Sequence, residues 1–484
     1  MTEPDPKTQG SSVAIGSQAN ASAQDERVLQ GYGYRQELKR DMGFFSSFAL
    51  SFSIISVTTG IFAVYGSGLN TAGPAFIWTW LVVGGGQLLV ALVFATLAKQ
   101  TPLSGYAYQW TRKLVGPKIG WWAGWLVIVQ YMSGMPAVCY ALANYLISFA
   151  GIPVTNRNLI LTTAAILVSI ALINHFGIHL ASRVNDFAVG AEILGTVVAG
   201  VVLLVIALVR KTNPAHFVFT HPGQPGGKAF LGALAFSSLM SIWTLTGFEG
   251  AANLAEETRA PQKHVPVAIV SSLLISVTLG FLVLVGFTLA IPSLTEAKQQ
   301  PAPLLYIMQA HLPPFLITGV MLCVFLAIYA SALANLTSLT RMVWAMARDF
   351  QLPQSHRLGQ INARRVPANA IWTVTAIAIV FTCWAKVETV MTSISAQAGY
   401  ITYAIVVGAA TWGHAKRPIA DEPQAVRIPK PLAAAALGWL LLVIAMLSLP
   451  QAGAGWMGAV AMLGTGTVGL IFFLRRQKET ISAI

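Results

Sequence analysis

Charged residues are scarce in this chain. They make up 10% of its 484 residues, whereas ordinary soluble domains carry about 25%. Hydrophobic residues make up 55%, so most of the surface cannot face water. Apolar runs of roughly 18 to 26 residues recur along the sequence, and about 20 residues suffice to cross a hydrocarbon core. These proportions exclude a soluble multidomain enzyme and a single-span receptor.

Cysteine is also rare, and the three residues Cys139, Cys323 and Cys383 all lie inside apolar runs. Their spacing fits neither a disulfide framework nor a zinc site, so we expect small buried side chains. The sequence also lacks a nucleophile–base pair, a nucleotide-binding loop and a cluster of metal ligands. We therefore expect neither an enzyme, nor a metal site, nor a cofactor.

Acidic residues are outnumbered by basic ones, 17 to 30, which leaves a net charge of +13. The basic residues do not form one patch. They are concentrated in alternate loops, on the side that also carries the N-terminus, and this pattern is typical of membrane orientation rather than of nucleic-acid binding. The sequence therefore predicts a multi-pass protein of the cytoplasmic membrane with both termini in the cytoplasm, embedded in the lipid bilayer.

Twelve apolar stretches are candidate membrane spans. They lie at 44–69, 74–98, 121–149, 159–176, 184–209, 229–255, 265–291, 314–347, 366–384, 387–413, 432–449 and 452–474. Backbone exposed to lipid must satisfy its own hydrogen bonds, so these stretches are expected to be helices. The predicted fold is an all-α integral membrane protein with 12 transmembrane helices.

The polar residues 1–42 lack an apolar core and predict a disordered cytoplasmic tail rather than a signal peptide. The first ten candidate spans lie within 43–413. The last two spans and a short tail are expected within 414–484.

Spans 1 and 6 are interrupted near their middles by glycine and hydroxyl residues, at 56–60 and 244–250. Both residue types weaken a helix, and unwound backbone at membrane depth persists only where it lines a cavity or is buried in protein. The free N–H and C=O groups of a broken helix suit a carboxylate and an ammonium group. Glycine-rich packing faces are the alternative. Interruptions at matching positions of two halves, 43–210 and 229–413, indicate an inverted-repeat transporter.

Four motifs in this order carry a family resemblance. They are Ser56–Phe62 (SVTTGIF), Pro102–Trp110 (PLSGYAYQW), Gly247–Glu257 (GFEGAANLAEE) and Arg341–Pro353 (RMVWAMARDFQLP). With them the chain resembles the amino acid–polyamine–organocation (APC) superfamily of transporters, in its amino acid/choline branch, over roughly residues 40–415. The resemblance implies that residues 43–413 form a ten-helix transport core. This core is a LeuT-like five-plus-five inverted repeat with discontinuous helices 1 and 6, and two C-terminal helices follow it.

The resemblance also implies which residues bind the solute. They are Ser56, Thr58, Thr59 and Gly60 in span 1, and Trp243, Thr246, Gly247 and Phe248 in span 6. The backbone of both segments is expected to hold the charged groups of the solute, while Trp243 is expected to cover it. A tryptophan there can also offer a cation–π face to an amine.

Two carboxylates lie at membrane depth, Glu192 in span 5 and Glu249 after the span-6 break. An ionised side chain there costs about 2.5–3.5 kcal/mol, so both are candidates for proton coupling. Several members of the family that the chain resembles have a lysine at the position of Glu192. The alternatives are a structural Glu192 bonded to a neighbouring Ser or Asn, and a Glu249 that binds free helix N–H groups or a cationic solute.

A salt-bridge gate is predicted at the inner end of spans 6 and 8. Its members are Glu256, Glu257 and Arg341, with Arg348 and Asp349 nearby. Such residues lie too close to the cytoplasmic end to bind a solute at mid-membrane.

We therefore expect a secondary active transporter for an amino acid or an amine-bearing organocation, of the amino acid, γ-aminobutyrate or choline class. Proton-coupled uptake by alternating access is the leading hypothesis. An exchanger or a sodium symporter is the alternative, and a solute sensor that does not transport is a more distant one. The sequence leaves the solute, the coupling ion and the oligomeric state open.

Overall fold

The computed structural model describes residues 25–221, 227–384, 388–416, 428–448 and 456–482. Over these residues the chain is helical, apart from loops and one isolated bridge between Met42 and Thr258. The helices are α1 (25–31), α2 (Phe44–Ile55), α3 (Val57–Ala72), α4 (Trp78–Gln100), α5 (Tyr106–Val115), α6 (Pro117–Phe149), α7 (Asn156–Phe176), α8 (Ile178–Glu192), α9 (Val198–Arg210), α10 (Lys228–Ser237), α11 (Leu239–Thr244), α12 (Gly250–Asn253), α13 (Pro261–Leu289), α14 (Leu294–Gln299), α15 (Pro303–His311), α16 (Pro314–Arg348), α17 (Ser355–Leu358), α18 (Ala368–Trp384), α19 (Glu388–Lys416), α20 (Lys430–Leu447) and α21 (Trp456–Ser482).

Eight helical segments among the described residues are long and apolar enough to cross a membrane. The first, Phe44–Gln100, has 57 residues, far more than the roughly 20 that one crossing needs. It contains a break at Ser56 and a short 3₁₀ turn at Gly73–Ile77. Shorter apolar helices, including Phe230–Thr244 and Ala368–Cys383, add to the bundle. The chain is therefore an all-helical, multi-pass membrane protein.

The first predicted interruption is present and is confined to one residue. Ser56 has φ 37°, in the left-handed region, and separates α2 from α3. Its hydroxyl oxygen accepts a hydrogen bond from the N–H of Thr59, 3.2 Å away, and so caps the new helix. The rest of the predicted segment, up to Gly60, belongs to the first turn of α3. Because the Ser56 hydroxyl caps the N-terminus of α3, the new helix begins at the next residue.

The second interruption is wider, and residues 245–249 between α11 and α12 are not helical. Gly247 lies there with φ 97°, a conformation that glycine adopts without a steric penalty. A Cβ atom at this position would also lie 2.1 Å from the side chain of Ile54. Both the backbone angle and the space therefore require glycine.

The two interrupted helices lie against each other. α11 packs on α3, and α12 packs on α2. A Cβ atom on Gly60 would lie 2.1 Å from Oγ1 of Thr244, so the helices are in close contact beside the breaks. The long helices α16 and α19 both pack on α6, and α16 also contacts α2, α3 and α12. This arrangement brings the two sequence interruptions to one place in the bundle.

Residues 25–42, which we call the N-terminal strap, form α1 and an extended segment across one end of the bundle. Met42 pairs with the chain beyond α12: its N–H donates to the carbonyl of Glu257, 3.0 Å away, and its carbonyl accepts from Arg259, at 2.9 Å. Leu38 is fully buried. The sequence assigned these residues to a disordered tail, and for 25–42 the structure corrects that boundary. Residues 1–24 lie outside the described residues, as do parts of the C-terminal region 414–484.

Candidate functional site

A polar cavity lies between the two helix breaks. Its volume is about 420 Å³, a value that includes space open to solvent. Thr59 and Gly60 of α3 and Trp243 of α11 line one side, while Gln130 of α6 and Asn335 of α16 line the other. Residues beside both helix breaks therefore contribute to the same cavity.

Half of the predicted solute-binding residues reach this cavity. Thr59, Gly60, Trp243 and Thr246 line it. The four others, Ser56, Thr58, Gly247 and Phe248, are not among its lining residues. The structure therefore brings part of each predicted segment to one cavity, whereas the other side chains of these segments do not line it.

Phe248 is one of the predicted residues whose side chain does not line the cavity. Its ring is fully buried and packs against the rings of Phe94 and Tyr403, at centroid distances of 5.8 Å and 5.3 Å. The nonhelical turn at Gly247 directs this side chain into an aromatic cluster rather than toward the cavity. The prediction that Phe248 binds solute does not agree with this position.

The sequence interpretation missed three polar residues that line the cavity: Gln130, Ser331 and Ser395. Each is a polar residue inside an otherwise apolar span. A polar residue in an apolar span could have indicated a position at the cavity, because polar side chains within membrane helices mostly face the protein interior or a water-filled path.

Glu192 lies next to the break in the first interrupted helix. Its Oε1 accepts from the backbone N–H of Thr58, at 3.0 Å, and from the hydroxyl of Ser56, at 3.3 Å. The carboxylate thus occupies the N-terminus of α3, where the helix dipole favours negative charge. Its second oxygen, Oε2, is buried and has no hydrogen-bond partner among the described residues.

A π-helical segment positions this carboxylate. α8 ends at Glu192, and Ile193–Val197 follow as a π-helix before α9 begins. Thr196 in this segment accepts a hydrogen bond from the hydroxyl of Thr58, at 2.8 Å. Single π turns inside α-helices occur frequently at functional sites. A π turn contains one residue more than an α turn. Here it lets Glu192 and Thr196 both contact Thr58 in the first turn of α3.

Glu249 is fully buried at the end of the second break and is surrounded by tyrosines. Tyr403 donates to its Oε2 at 2.5 Å, while Tyr131 and Tyr106 approach Oε1 at 3.1 Å and 3.4 Å. The three hydroxyls come from α19, α6 and α5. Glu249 therefore ties the nonhelical segment to the helices behind it, and it is not among the residues that line the cavity.

The predicted gate residues form two ion pairs near the N-terminal strap. Arg341 and Glu257, both fully buried, make two hydrogen bonds of 2.8 and 2.9 Å. Arg348 binds both oxygens of Glu256, at 2.9 and 3.0 Å. Of the three predicted gate residues, Arg341 and Glu257 pair with each other, whereas Glu256 pairs with Arg348, which the sequence named only as a neighbour. Their role as a gate stays a prediction. Bidentate pairs of this kind are geometrically specific.

The strap covers these pairs. The side chain of Gln36 donates to the carbonyl of Glu256 at 2.9 Å. The ring of Tyr34 lies under the guanidinium of Arg348, 3.9 Å from its centroid, and its hydroxyl donates to Asp349 at 2.8 Å. Burial and the nearby Asp349 carboxylate raise the pKa of Tyr34 above its ordinary value, so the phenol remains a hydrogen-bond donor.

Membrane-length helices, together with two interrupted helices around a shared polar cavity, define the chain as a multi-pass membrane transporter. The comparison with known proteins identifies the family: residues 42–472 match the family described as amino acid permease, and the chain belongs to it. It is therefore an amino acid transporter of the APC superfamily rather than an enzyme.

Individual relatives agree. The chain is 31% identical over 411 residues to the amino-acid permease BAT1 homolog of rice, Oryza sativa subsp. japonica, covering 78% of this chain and 79% of that protein. It is 31% identical over 413 residues to amino-acid permease BAT1 of Arabidopsis thaliana, covering 78% and 79%. It is 26% identical over 465 residues to the branched-chain amino acid permease BcaP of Bacillus subtilis, covering 92% and 95%.

Proposed function

We propose that the chain is a secondary active transporter that takes up an amino acid across the cytoplasmic membrane, coupled to protons, by alternating access. The observation that carries this proposal is the cavity at the two helix breaks. Its lining residues include none with a charged side chain, so the carboxylate and ammonium groups of the solute would bind the helix ends.

The proposed architecture has twelve spans, ten of them in a LeuT-like five-plus-five inverted repeat, followed by two C-terminal helices. Two features support it. The breaks at Ser56 and at 245–249 lie in the first helix of each proposed half, and the halves meet at the cavity. Binding sites of inverted-repeat transporters lie at such repeat interfaces. Both termini would be cytoplasmic, so the strap would close the cytoplasmic face.

Buried polar groups without partners support a conformational cycle. The hydroxyl of Ser53 on α2 and the side-chain amide of Asn185 on α8 are buried and lack a hydrogen-bond partner among the described residues. Leaving such a group unsatisfied costs about 1–3 kcal/mol. Opening the strap side of the bundle would hydrate surfaces of this kind and recover that cost.

Glu192 is the proposed proton carrier, because its Oε2 is buried and has no hydrogen-bond partner among the described residues. In the proposed cycle it is protonated from the outside and releases the proton to the cytoplasm. Glu249 is a second candidate, although its two oxygens already accept tyrosine hydroxyls.

Uptake into proteoliposomes tests the proposal. With an inward proton gradient and no internal solute, a radiolabelled amino acid should accumulate above its external concentration. Dependence on internal solute would instead indicate an exchanger, and dependence on sodium a sodium symporter. Binding without accumulation would indicate a sensor.

Gly60→Leu should abolish uptake and solute binding in the same vesicles. Any side chain at this position would collide with Thr244, 2.1 Å from the Cβ atom, and would extend into the cavity. Gly85→Leu is the matched control, since Gly85 also lies in a membrane helix, is exposed, and would place an added Cβ atom in open space, with no neighbour within 4 Å. Equal uptake by both variants would show that the solute binds elsewhere.

A further inference from the structure

We propose that the side-chain amide of Gln130 accepts a hydrogen bond from the side chain of the solute. The site would thereby select neutral amino acids whose side chain carries a hydrogen-bond donor. This inference rests on the proposed function and names the solute class for the same cavity. It depends on one buried amide and on the absence of charge among the residues that line the cavity.

The cavity offers no countercharge for a charged side chain. Its lining residues are apolar, hydroxyl or amide residues, with glycine and Trp243. The nearest buried carboxylate in the break, Glu249, already accepts hydrogen bonds from Tyr403 and Tyr131. A lysine or arginine side chain would therefore be buried without a countercharge, and burying an unpaired charge is strongly unfavourable. This excludes cationic amino acids and polyamines from the proposed class.

Gln130 is held in place by its neighbours. It is 4% exposed and lines the cavity. Its amide lies against α19, where a Cβ on Gly399 would be 3.0 Å from the amide nitrogen. Ser395 donates to the backbone carbonyl of Gln130 at 2.9 Å and packs so close to α6 that a Cβ on Gly134 would be 2.7 Å from its hydroxyl. The α6–α19 contact thus restricts the Gln130 side chain at a position that lines the cavity.

The amide has unused hydrogen-bonding capacity. Oε1 of Gln130 is buried and has no partner among the described residues. A solute that donates a hydrogen bond to it removes an unsatisfied buried acceptor, whereas an apolar solute leaves that acceptor unpaired. A site built in this way discriminates against an analogue that lacks the donor more strongly than an apolar pocket discriminates by size.

Competition for uptake tests the inference. In the wild type, serine, threonine, asparagine and glutamine should compete about 10-fold more strongly than valine, leucine and isoleucine, and lysine and arginine should not compete. In Gln130→Met, which keeps the length of the side chain, the preference should disappear or reverse. Gln397→Met is the matched control, because Gln397 lies on the facing helix α19 and donates to the carbonyl of Leu447 instead of lining the cavity.

The outcomes separate the two proposals. Uptake that prefers branched-chain amino acids in the wild type, or a Gln130→Met variant with unchanged preference, would overturn the inference and leave the transporter proposal intact. Failure of every amino acid to be taken up by the wild type would overturn the transporter proposal itself.

A second inference rests on an independent observation, the contacts of the N-terminal strap. We infer that the strap is a latch that must detach before the bundle opens on that side. Its hydrogen bonds reach two groups of elements that alternating access would separate.

On one side the strap binds the end of α4 and the residue just before α13, two helices that pack against the interrupted helices. Tyr32 donates to the carbonyl of Gln100 at the end of α4, at 2.7 Å. Asp25 accepts from the N–H of Ala260, at 3.0 Å, just before α13. Together with the Met42 pairing to Glu257, these bonds fix the strap to α4, α13 and the segment beyond α12.

On the other side the strap holds α5 and the end of α16. Tyr34 donates to Asp349, and its ring stacks on Arg348. Lys113 of α5 lies over the ring of Tyr32, 4.6 Å from the centroid. Any movement that separates α12 and α13 from α16 must break one set of these contacts.

Cysteine labelling tests the latch. Ser53→Cys, in a background whose native cysteines are replaced by alanine, reports opening because Ser53 is buried on α2. In the full-length detergent-purified protein, Tyr34→Ala should raise the labelling rate by a membrane-impermeant maleimide about 10-fold, since it removes a stacked ring and a charge-assisted hydrogen bond. Tyr34→Phe keeps the ring and should give an intermediate rate.

Tyr306→Ala is the matched control. Tyr306 also donates to a carboxylate, that of Glu296 on α14, away from the strap. The Tyr306→Ala variant should be labelled at Ser53→Cys at the same rate as the parent protein that carries Ser53→Cys alone. If Tyr34→Ala and Tyr34→Phe melt like the parent and label at the parent rate, the strap is not a latch.

Discussion

Glu192→Gln is expected to abolish accumulation driven by a proton gradient while leaving exchange of internal for external solute intact. Glutamine keeps an oxygen that can accept from the N–H of Thr58, which Glu192 now binds at 3.0 Å. The start of α3 should therefore remain capped and the cavity intact. An amide cannot carry a proton at physiological pH, so the coupling step alone is removed.

The pH dependence gives the second readout for Glu192. Wild-type uptake should rise as the external pH falls, because protonation of the carrier from outside precedes translocation in the proposed cycle. Uptake by the glutamine variant should vary little over the same range. Glu296→Gln is the control, since Glu296 is an exposed carboxylate on α14. A Glu192→Gln variant that still accumulates solute with wild-type pH dependence would remove Glu192 from coupling.

The helix breaks could be predicted because their cause is local. Glycine and hydroxyl residues weaken a helix wherever they occur, and the clusters at 56–60 and 244–250 stand out against aliphatic neighbours. Their exact extent could not be predicted. Ser56 alone interrupts the first helix because its hydroxyl caps the next turn, and this depends on a single rotamer.

The direction of side chains in the breaks was not predictable in the same way. The orientation of Phe248 follows from the φ of 97° at Gly247 and from the rings of Phe94 and Tyr403 that receive it. Those partners are distant in sequence. The tyrosines around Glu249 likewise come from three separate helices, and no spacing in a single sequence relates them.

The ordered structure of the N-terminal strap could not be predicted from the sequence either. Residues 25–42 are polar on average, which is why composition predicted disorder. The structure orders them through a few particular side chains, such as the buried Leu38 and the stacked Tyr34. The average composition of a segment does not predict contacts that only a few of its side chains make. By contrast, ion pairs among Glu256, Glu257, Arg341 and Arg348 could be expected from the sequence, since opposite charges near the same membrane face have few other partners. Whether these pairs act as a gate stays a prediction.

Arg341→Met is expected to have the largest effect on stability. The substitution leaves the carboxylate of Glu257 fully buried without its countercharge, and breaking such a pair typically costs about 3–5 kcal/mol. The detergent-purified variant should melt at a clearly lower temperature than the wild type. Lys39→Met is the control, because Lys39 pairs with Asp41 at the surface and exposed pairs contribute about 0–1 kcal/mol.

The double variant Arg341→Met with Glu257→Met separates stability from gating. Replacing both charges with apolar side chains of similar size is often neutral or stabilising, so the melting temperature should recover. Transport should not recover, because a charged pair regains hydration when the bundle opens, whereas two methionines would expose apolar surface to water. The closed state would then be favoured and uptake slow. A double variant that transports at the wild-type rate would show that this ion pair only holds the fold together.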